Sequence, residues 1–445
     1  MKVVIVGAGP SGLAVALGLV HRGIDVTVLE RSSHVGGRMR TVELGDYRVE
    51  LGPAGILDDA PATRALLTDL GGDRPTVVSS SSRVNRRWVV RGGRPRTLPS
   101  GPLSFLFGGA LSFAEKRALL RERHVPPAAA ASNETVAAFA RRRFGDSIAK
   151  AFVQPMVVGV YGGDYEALEL DAAFPRLRVL EQTHGSVVRG VMTEGKARRA
   201  RGEPHPKLIT FEGGMSALPR AMARRLGERV RLGCTVQRIA PRHGYPGWTI
   251  DTSTGPLEAE HLVLATEPEV ARGLLGAALP MQVETAAIAS VSLAYRRADV
   301  GHALDGFGVL CPRGEGTRTI GVLFMSSIFA SRQAPDGEVL LRVMMGGPND
   351  PAIHALGDDA ILDAAHHEMI ALLGVRGTPT FRHLQRWPRA IAQYTVGHAA
   401  RARAVDDCAR TLHLDIGGTA LHGVGVNDVL RDADVIAGRI AGAFR

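Results

Sequence analysis

Cysteine is scarce in this chain. Only Cys234, Cys311 and Cys408 occur, far apart and with no C-x-x-C pair. That argues against a disulfide scaffold or a thiolate metal site and is compatible with a reducing cytosol. His366 and His367 precede Glu368, but the order is not H-E-x-x-H and adjacent side chains cannot share one helical face, so no metal site is expected. Aromatic residues make up 5%. No basic stripe interleaved with aromatics and no nucleic-acid motif is found, so no nucleic-acid partner is expected. Long apolar runs are missing too. The segment "GPLSFLFGGALSF" (101–113) falls short of the roughly 20 residues that cross a bilayer.

What is present is length, glycine and positive charge. A chain of 445 residues is too long for one ordinary core, so two or three domains are expected. Fifty-three glycines suit an α/β protein with many tight turns. The net charge of +10 favours an anionic partner such as a phosphate, a carboxylate-bearing substrate or an acidic lipid surface. Local clusters occur at "RVNRRWVVRGGRPR" (83–96) and "KARRAR" (196–201), while most of the charge reads as solvated surface.

The N-terminus, "KVVIVGAGPSGLAVALGLVHRGIDVTVLE" (2–30), admits three readings: a signal peptide, a short membrane span, or a strand–turn–helix that binds a dinucleotide. Lys2 supplies a charged start, but Gly7, Gly9, Pro10 and Gly12 break the apolar run, and no cleavage region follows. The fold reading accounts for every feature. "KVVIVG" is a buried parallel strand, residues 11–22 form a helix ended by Gly23, and "IDVTVLE" is the next strand. Gly7 permits the tight turn, Gly9 lets the backbone approach a pyrophosphate, and Gly12 lets the helix pack close to the strand. The helix N-terminus offers N–H groups to the phosphates. Glu30, 18 residues after Gly12, can accept from both ribose hydroxyls and disfavours a 2′-phosphate, which argues against NADP.

The next residues, "RSSHVGGRMRT" (31–41), decide which dinucleotide. A second glycine turn, Gly36-Gly37-Arg38, close behind Glu30 and Arg31 is unnecessary in a plain NAD domain. It brings a second backbone segment and a fixed cation to the cofactor. The pattern resembles the FAD-binding amine oxidase superfamily, and the cofactor it implies is FAD. In that resemblance "VELGPAGI" (49–56), with Gly52 and Pro53, looks like the strand and turn beneath the isoalloxazine. "KLITFEGGMSALPRAMARRL" (207–226) looks like a GGM-x-x-L-P turn and helix, and "VRLGCTVQRI" (230–239), with Val236, like a strand on the adenine side. "HLVLATEP" (261–268) resembles a strand rejoining the sheet. Trp387 and the C-terminal turn Gly423, Val424, Gly425 and Val426, which opens a helix within 412–442, complete the implied cofactor set. The fold class expected is α/β, with a discontinuous Rossmann-like FAD-binding domain, a mixed-sheet substrate domain and an α-helical insert.

Three further segments narrow the resemblance to the oxygen-dependent protoporphyrinogen and coproporphyrinogen oxidases. They are "NETVAAFARRRFGDSIAKAFVQPMVVGVYGGDYEALEL" (133–170), "RRWVVRGGRPRTLPSGP" (86–102) and "QRWPRAIAQYTVGH" (385–398). The chain departs from the family pattern at Ala54, Ala392 and Leu421. The resemblance implies oxidation of protoporphyrinogen IX to protoporphyrin IX, with hydride passing to the flavin, oxygen as acceptor, and six electrons removed in three rounds with peroxide released. Alternatives are coproporphyrinogen III, another flavin amine oxidase or desaturase, or a non-catalytic FAD-binding scaffold. The scarcity of aromatics weighs against an amine oxidase with an aromatic cage. A porphyrinogen needs a roomy apolar pocket with a cation at its rim. "AFVQPMVVGVY" (151–161), with Met156, Val158 and Tyr161, offers the lining, and Arg87 the carboxylate partner. An ordinary core segment and a surface arginine are the other readings. No acid–base pair is visible, so no catalytic side chain is assigned and catalysis would rest on positioning.

The expected division is an FAD-binding domain from 1–77, 207–275 and 385–445, a substrate-binding domain from 78–99 and 276–384, and a helical insert over 100–206. The start of the insert could dip into a membrane interface or pack inside the protein. The resemblance tips the expectation toward peripheral attachment on the cytoplasmic face of a membrane by a cytoplasmic protein, with hand-off of product to a ferrochelatase. Oligomeric state is left open.

Overall fold

In a computed structural model, residues 2–98, 111–128, 133–242, 244, 246–276, 279, 281–329 and 333–443 are described. A five-stranded parallel sheet forms the nucleotide fold. Its order across the sheet is Val230–Arg231, Asp25–Leu29, Lys2–Val6, His261–Leu264 and Leu414–Ile416. Val3, Val4, Ile5, Val26, Val28, Leu262 and Val263 are almost completely buried, as an apolar strand covered on both faces requires. One face carries the helix Pro10–His21, the helix Ala217–Leu226 and the C-terminal helix Val426–Ala443. The C-terminal helix lies so close to the first that a Cβ on Gly18 would stand 2.8 Å from the Ala437 Cβ.

Segment 230–239 is not the single strand expected. Val230–Arg231 joins the parallel sheet, while Val236–Pro241 joins Trp248–Thr252 and Leu257–Ala259 in a separate antiparallel sheet. Likewise Val77–Ser79 pairs with Leu208–Phe211 rather than with the hairpin that follows it.

The second body is a seven-stranded mixed sheet, ordered Phe381–Gln393, Glu284–Arg296, Glu338–Gly346, Thr319–Leu323, Gly308–Leu310, Trp88–Arg91 and Arg94–Thr97. Residues 385–393, grouped by sequence with the nucleotide fold, run within the first of these strands. Alternation divides its faces. Ala289, Val291, Leu293, Leu341, Val343 and Met345 pack with Ile361, Ala365 and Met369 of the helix Asp358–Leu373. The opposite face presents Ser290, Ser292, Leu340, Arg342 and Met344.

The insert is α-helical. Its helices include Phe113–Arg121, Val136–Phe144, Gln154–Tyr161, Pro175–His184 and Val187–Ala200. Its centre holds both an apolar cluster around Phe139, Tyr165 and Leu168 and a buried ionic network. Arg143 ion-pairs with Glu122 at 3.1 Å and Glu181 at 3.2 Å, all three side chains being inaccessible to solvent. Arg142 and Arg178 join the network through Glu134 and Glu181. Among the described residues no helix is long and apolar enough to cross a membrane. Most of the expected interfacial segment 101–113 lies outside the described residues.

Candidate active site

Ligands of open α/β sheets bind beyond the carboxyl ends of the strands. Here four strand ends deliver Gly7, Glu30, Ala265 and Gly417 to that edge, tied by the bonds Gly7 N–H to Leu29 O (2.8 Å), Ala265 N–H to Val6 O (2.9 Å) and Gly417 N–H to Leu264 O (2.9 Å). Gly7 has φ +106°, and a Cβ on it would stand 2.4 Å from Ala265 O. A Cβ on Gly12 would stand 2.0 Å from Gly7 O. Gly9 is different, because a Cβ there meets nothing within 4 Å. Gly37 closes over it, its own Cβ position being 3.5 Å from Gly9 Cα, and Gly36 N–H donates to Ala8 O at 2.8 Å. Two glycine turns, distant in sequence, thus form one cradle.

Two buried donors in this cradle have no partner: Ser11 Oγ and Arg38 Nε. An orphaned buried donor is costly unless a ligand satisfies it, so both fit an anionic pyrophosphate. The sequence reading missed Ser11, although it stands beside Pro10 in the helix's first turn. Arg38 is aimed by its other end, where Nη2 donates to Glu267 Oε1 at 3.0 Å and to Arg389 O. Glu30 accepts from Ala8 N–H (2.9 Å), Ser32 N–H (2.9 Å) and Ser32 Oγ (2.8 Å). Arg31 beside it is exposed. Cys234 N–H donates to Glu30 O at 2.9 Å, which brings half-buried Val236 to the Glu30 side of the cradle.

The turn Leu51–Pro53 forms the border between the two sheets. A Cβ on Gly52 would stand 1.8 Å from Arg38 O. From the mixed sheet, Trp387 Nε1 donates to Leu51 O at 2.9 Å, and Arg342 donates to the carbonyls of both Leu51 and Gly52. Behind the turn, Glu50 accepts from Met215 N–H at 2.9 Å and Thr41 Oγ1 at 2.8 Å. Burial pushes its carboxyl up to about 7, against the opposing pull of these hydrogen bonds and of Arg342.

At the C-terminal turn Gly423 has φ +131°. Its N–H donates to the Tyr394 hydroxyl at 2.8 Å, which in turn donates to Thr419 O at 2.9 Å. The His398 ring stacks on Tyr394 at 3.8 Å, and its Nε2 is 3.0 Å from Leu421 O. The Q-Y-x-x-G-H run therefore acts as a clamp on this turn. Val424 packs toward the insert, Gly425 N–H donates to Asp428 Oδ2 at 3.2 Å, and Val426 packs on the nucleotide core. Of the departures, Ala392 and Leu421 are buried and Ala54 packs by the cluster of Met325, Ile328 and Phe329.

The expected substrate residues do not converge. Val158 meets Ile288, Ile320, Met344 and Ala390 across the inner sheet face. Met156, two positions away and so about 200° around the helix, is 40% exposed. Tyr161 is buried edge-on against Phe174 and Tyr394, with its hydroxyl donating to Ala173 O at 2.9 Å, which makes it an anchor of the insert rather than a lining residue. Arg87 is exposed, its guanidinium 5.7 Å from the Phe307 ring centroid. Missed by sequence were half-buried Leu310, Leu323 and Met344 on the inner face. The alternation in "GEVLLRVMMGG" carries the signal, but it does not tell which face looks at the cradle.

The family of flavin containing amine oxidoreductases matches residues 10–432. This chain belongs to that family. The flavoenzyme is 30% identical to protoporphyrinogen oxidase 1, chloroplastic, of Spinacia oleracea, over 97% of this chain and 82% of that one. It is also 30% identical to coproporphyrinogen III oxidase of Propionibacterium freudenreichii subsp. freudenreichii, over 97% of this chain and 89% of that one. A crystal structure from Exiguobacterium sp. 255-15 superposes with a TM-score of 0.83 at 21% identity, covering 99% of both chains, and has the same fold. The flavoenzyme is an FAD-dependent oxidoreductase, and Ser11, Arg38, Glu30 and the two glycine turns are the residues that would hold its FAD.

Proposed function

We propose that this flavoenzyme oxidises protoporphyrinogen IX to protoporphyrin IX, with molecular oxygen as the final acceptor. The observation that carries the reading is the wall facing the cradle. The insert helix Gln154–Tyr161 lies on the inner sheet face, Val158 against Ile288, Ile320 and Met344, with a Cβ on Gly159 only 3.3 Å from Leu310. Val158, Ile288 and Ile320 are closed off from solvent, so the apolar surface left for a macrocycle is that of half-buried Leu310, Leu323 and Met344 beside them. Positive charge on this face is already engaged. Arg342 is spent on backbone carbonyls, and Arg91 is bidentate on Glu115 at 3.0 and 3.1 Å. That supports the porphyrinogen with fewer carboxylates over coproporphyrinogen III, with exposed Arg87 left as a rim cation.

Bound FAD supplies the two-electron acceptor for hydride removed from a bridging carbon. The chain's residues supply placement. Ser11, Arg38 and Glu30 fix the dinucleotide, Arg342 and Trp387 fix the turn at its border, and the apolar wall holds carbon in position while excluding water. Over three rounds the substrate loses six hydrogens and three molecules of oxygen become three of hydrogen peroxide. The pyrrole N–H proton leaves to solvent.

The reading extends to place. On the helix Phe113–Arg121, Phe113 is 83% and Leu120 64% exposed, sharing a face with Arg117. Apolar side chains flanked by cations suit peripheral contact with an anionic membrane on its cytoplasmic face, and a ferrochelatase is the partner class that would take the product. The deciding assay gives the purified holoenzyme protoporphyrinogen IX or coproporphyrinogen III in air and follows porphyrin fluorescence above the spontaneous rate. Faster oxidation of the first is expected. A preference for the second moves the substrate, and no acceleration of either overturns the reading.

A further inference from the structure

Arg342 is a buried cation with no carboxylate in contact, Glu50 acting on it only through space. It is 5% exposed, and no carboxylate lies within 4.0 Å of it among the described residues. Its donors go instead to neutral acceptors: Nε to Ser290 Oγ at 2.7 Å, Nη2 to Leu51 O at 3.2 Å and Nη1 to Gly52 O. Burying an uncompensated charge costs several kcal/mol in general, and a serine and two carbonyls could have been served by a neutral side chain. Burial draws its guanidinium down to about 10, with Glu50 opposing, so it remains charged at neutral pH.

The position explains the cost. The two carbonyls belong to the turn that abuts the Arg38 backbone at the edge of the cradle, and the inner face around Arg342 is otherwise neutral or apolar, with Ser290, Ser292, Leu323, Leu340, Met344 and Gln385, save for His383 one strand beyond Ser292. We infer that Arg342 is a positioning residue whose unpaired positive charge, set behind the Leu51–Gly52 turn, strengthens flavin binding and raises the flavin's reduction potential. A fixed cation in a dry site favours whichever oxidation state carries more negative charge. Trp387 shares the task of holding Leu51 O but brings no charge, which separates geometry from electrostatics.

The test uses FAD-loaded wild type, Arg342→Lys, Arg342→Gln and Trp387→Phe, with folding checked by circular dichroism. Midpoint potentials come from anaerobic reduction against a reference dye, and FAD affinity from the fluorescence of released flavin. Arg342→Gln is expected to shift the potential to a more negative value and weaken FAD about tenfold. Arg342→Lys keeps the charge and a potential near that of wild type, and Trp387→Phe does the same. A folded Arg342→Gln protein at the wild-type potential overturns the inference, as does an equal shift in Trp387→Phe. If Arg342→Gln does not fold, Arg342→Lys decides, and a clearly lowered potential there sinks the charge role. None of these readouts uses a porphyrinogen, so they stand apart from the substrate assay.

Discussion

Gly9 and Gly12 belong to one motif but are expected to fail in different ways. Gly9 sits at φ −73° and ψ 175°, a backbone any residue adopts, and its Cβ direction is open for 4 Å. Gly9→Val therefore leaves the flavin-free fold nearly unchanged, within about 1 kcal/mol of wild type. What the valine fills is the space the diphosphate must enter. Hydrogen bonds to a charged group contribute about 1.5–3 kcal/mol each. Losing two of them costs about 3–6 kcal/mol, or roughly a hundredfold to ten-thousandfold in Kd. Gly12 is the reverse case. Its Cβ would lie 2.0 Å from the Gly7 carbonyl oxygen and 3.2 Å from the Ala265 Cβ, and a main-chain oxygen in a tight turn cannot rotate aside. Gly12→Val should cost about 1–3 kcal/mol or more in overpacking, paid by the fold itself. Flavin content by absorbance, together with urea unfolding of the flavin-free proteins, separates the two. Wild type gains about 2.7 kcal/mol at an FAD concentration of about 100 times its Kd, and Gly9→Val should gain no more than about 0.4 kcal/mol at that concentration. A stably yellow Gly9→Val protein, or a flavin-free Gly12→Val protein as stable as wild type, would refute the cradle geometry.

Two other outcomes are expected. Arg143→Met removes the cation paired with Glu122 and one of the three paired with Glu181, both carboxylates being inaccessible to solvent, and should destabilise the protein by about 3–5 kcal/mol in urea unfolding; a loss under about 1 kcal/mol would show that the network is idle. Glu50 titrates near 7 when folded and 4.5 when free, so the folded state holds the extra proton and stability should fall as pH rises from 4.5 to 7, by about 3 kcal/mol in all. Glu50→Gln should flatten that slope, and an unchanged slope across this window would place the titration elsewhere.

Much of the site was readable because the chemistry demanded particular residues at short range. Gly7, Gly9, Gly12 and Glu30 lie within one strand–turn–helix–strand unit, and each obeys a local rule of backbone clearance or hydrogen bonding. Gly36 to Arg38 were legible for the same reason. Ser11 was available to such reasoning, since it stands in the same turn, but serine in a helix's first turn is too common to single out. Met156, Val158 and Tyr161 ended on different faces of their helix because an apolar helical run has several faces, and periodicity does not say which face meets the sheet and which meets Phe174 and Tyr394.

The linear chain by itself determined the dinucleotide cradle and the alternation of the mixed-sheet strands, both consequences of neighbouring residues and local stereochemistry, while the flavin as occupant came from the family resemblance of the second glycine turn. Tertiary structure alone decided that Arg342 and Trp387, 291 and 336 residues from Leu51, close on one turn, and that Tyr394 clamps Gly423. It also sent Val77–Ser79 to a different sheet from its neighbouring hairpin. Those pairings depend on strand order and on which sheet face is buried, and both are settled by the packing of distant segments rather than by any residue's preference.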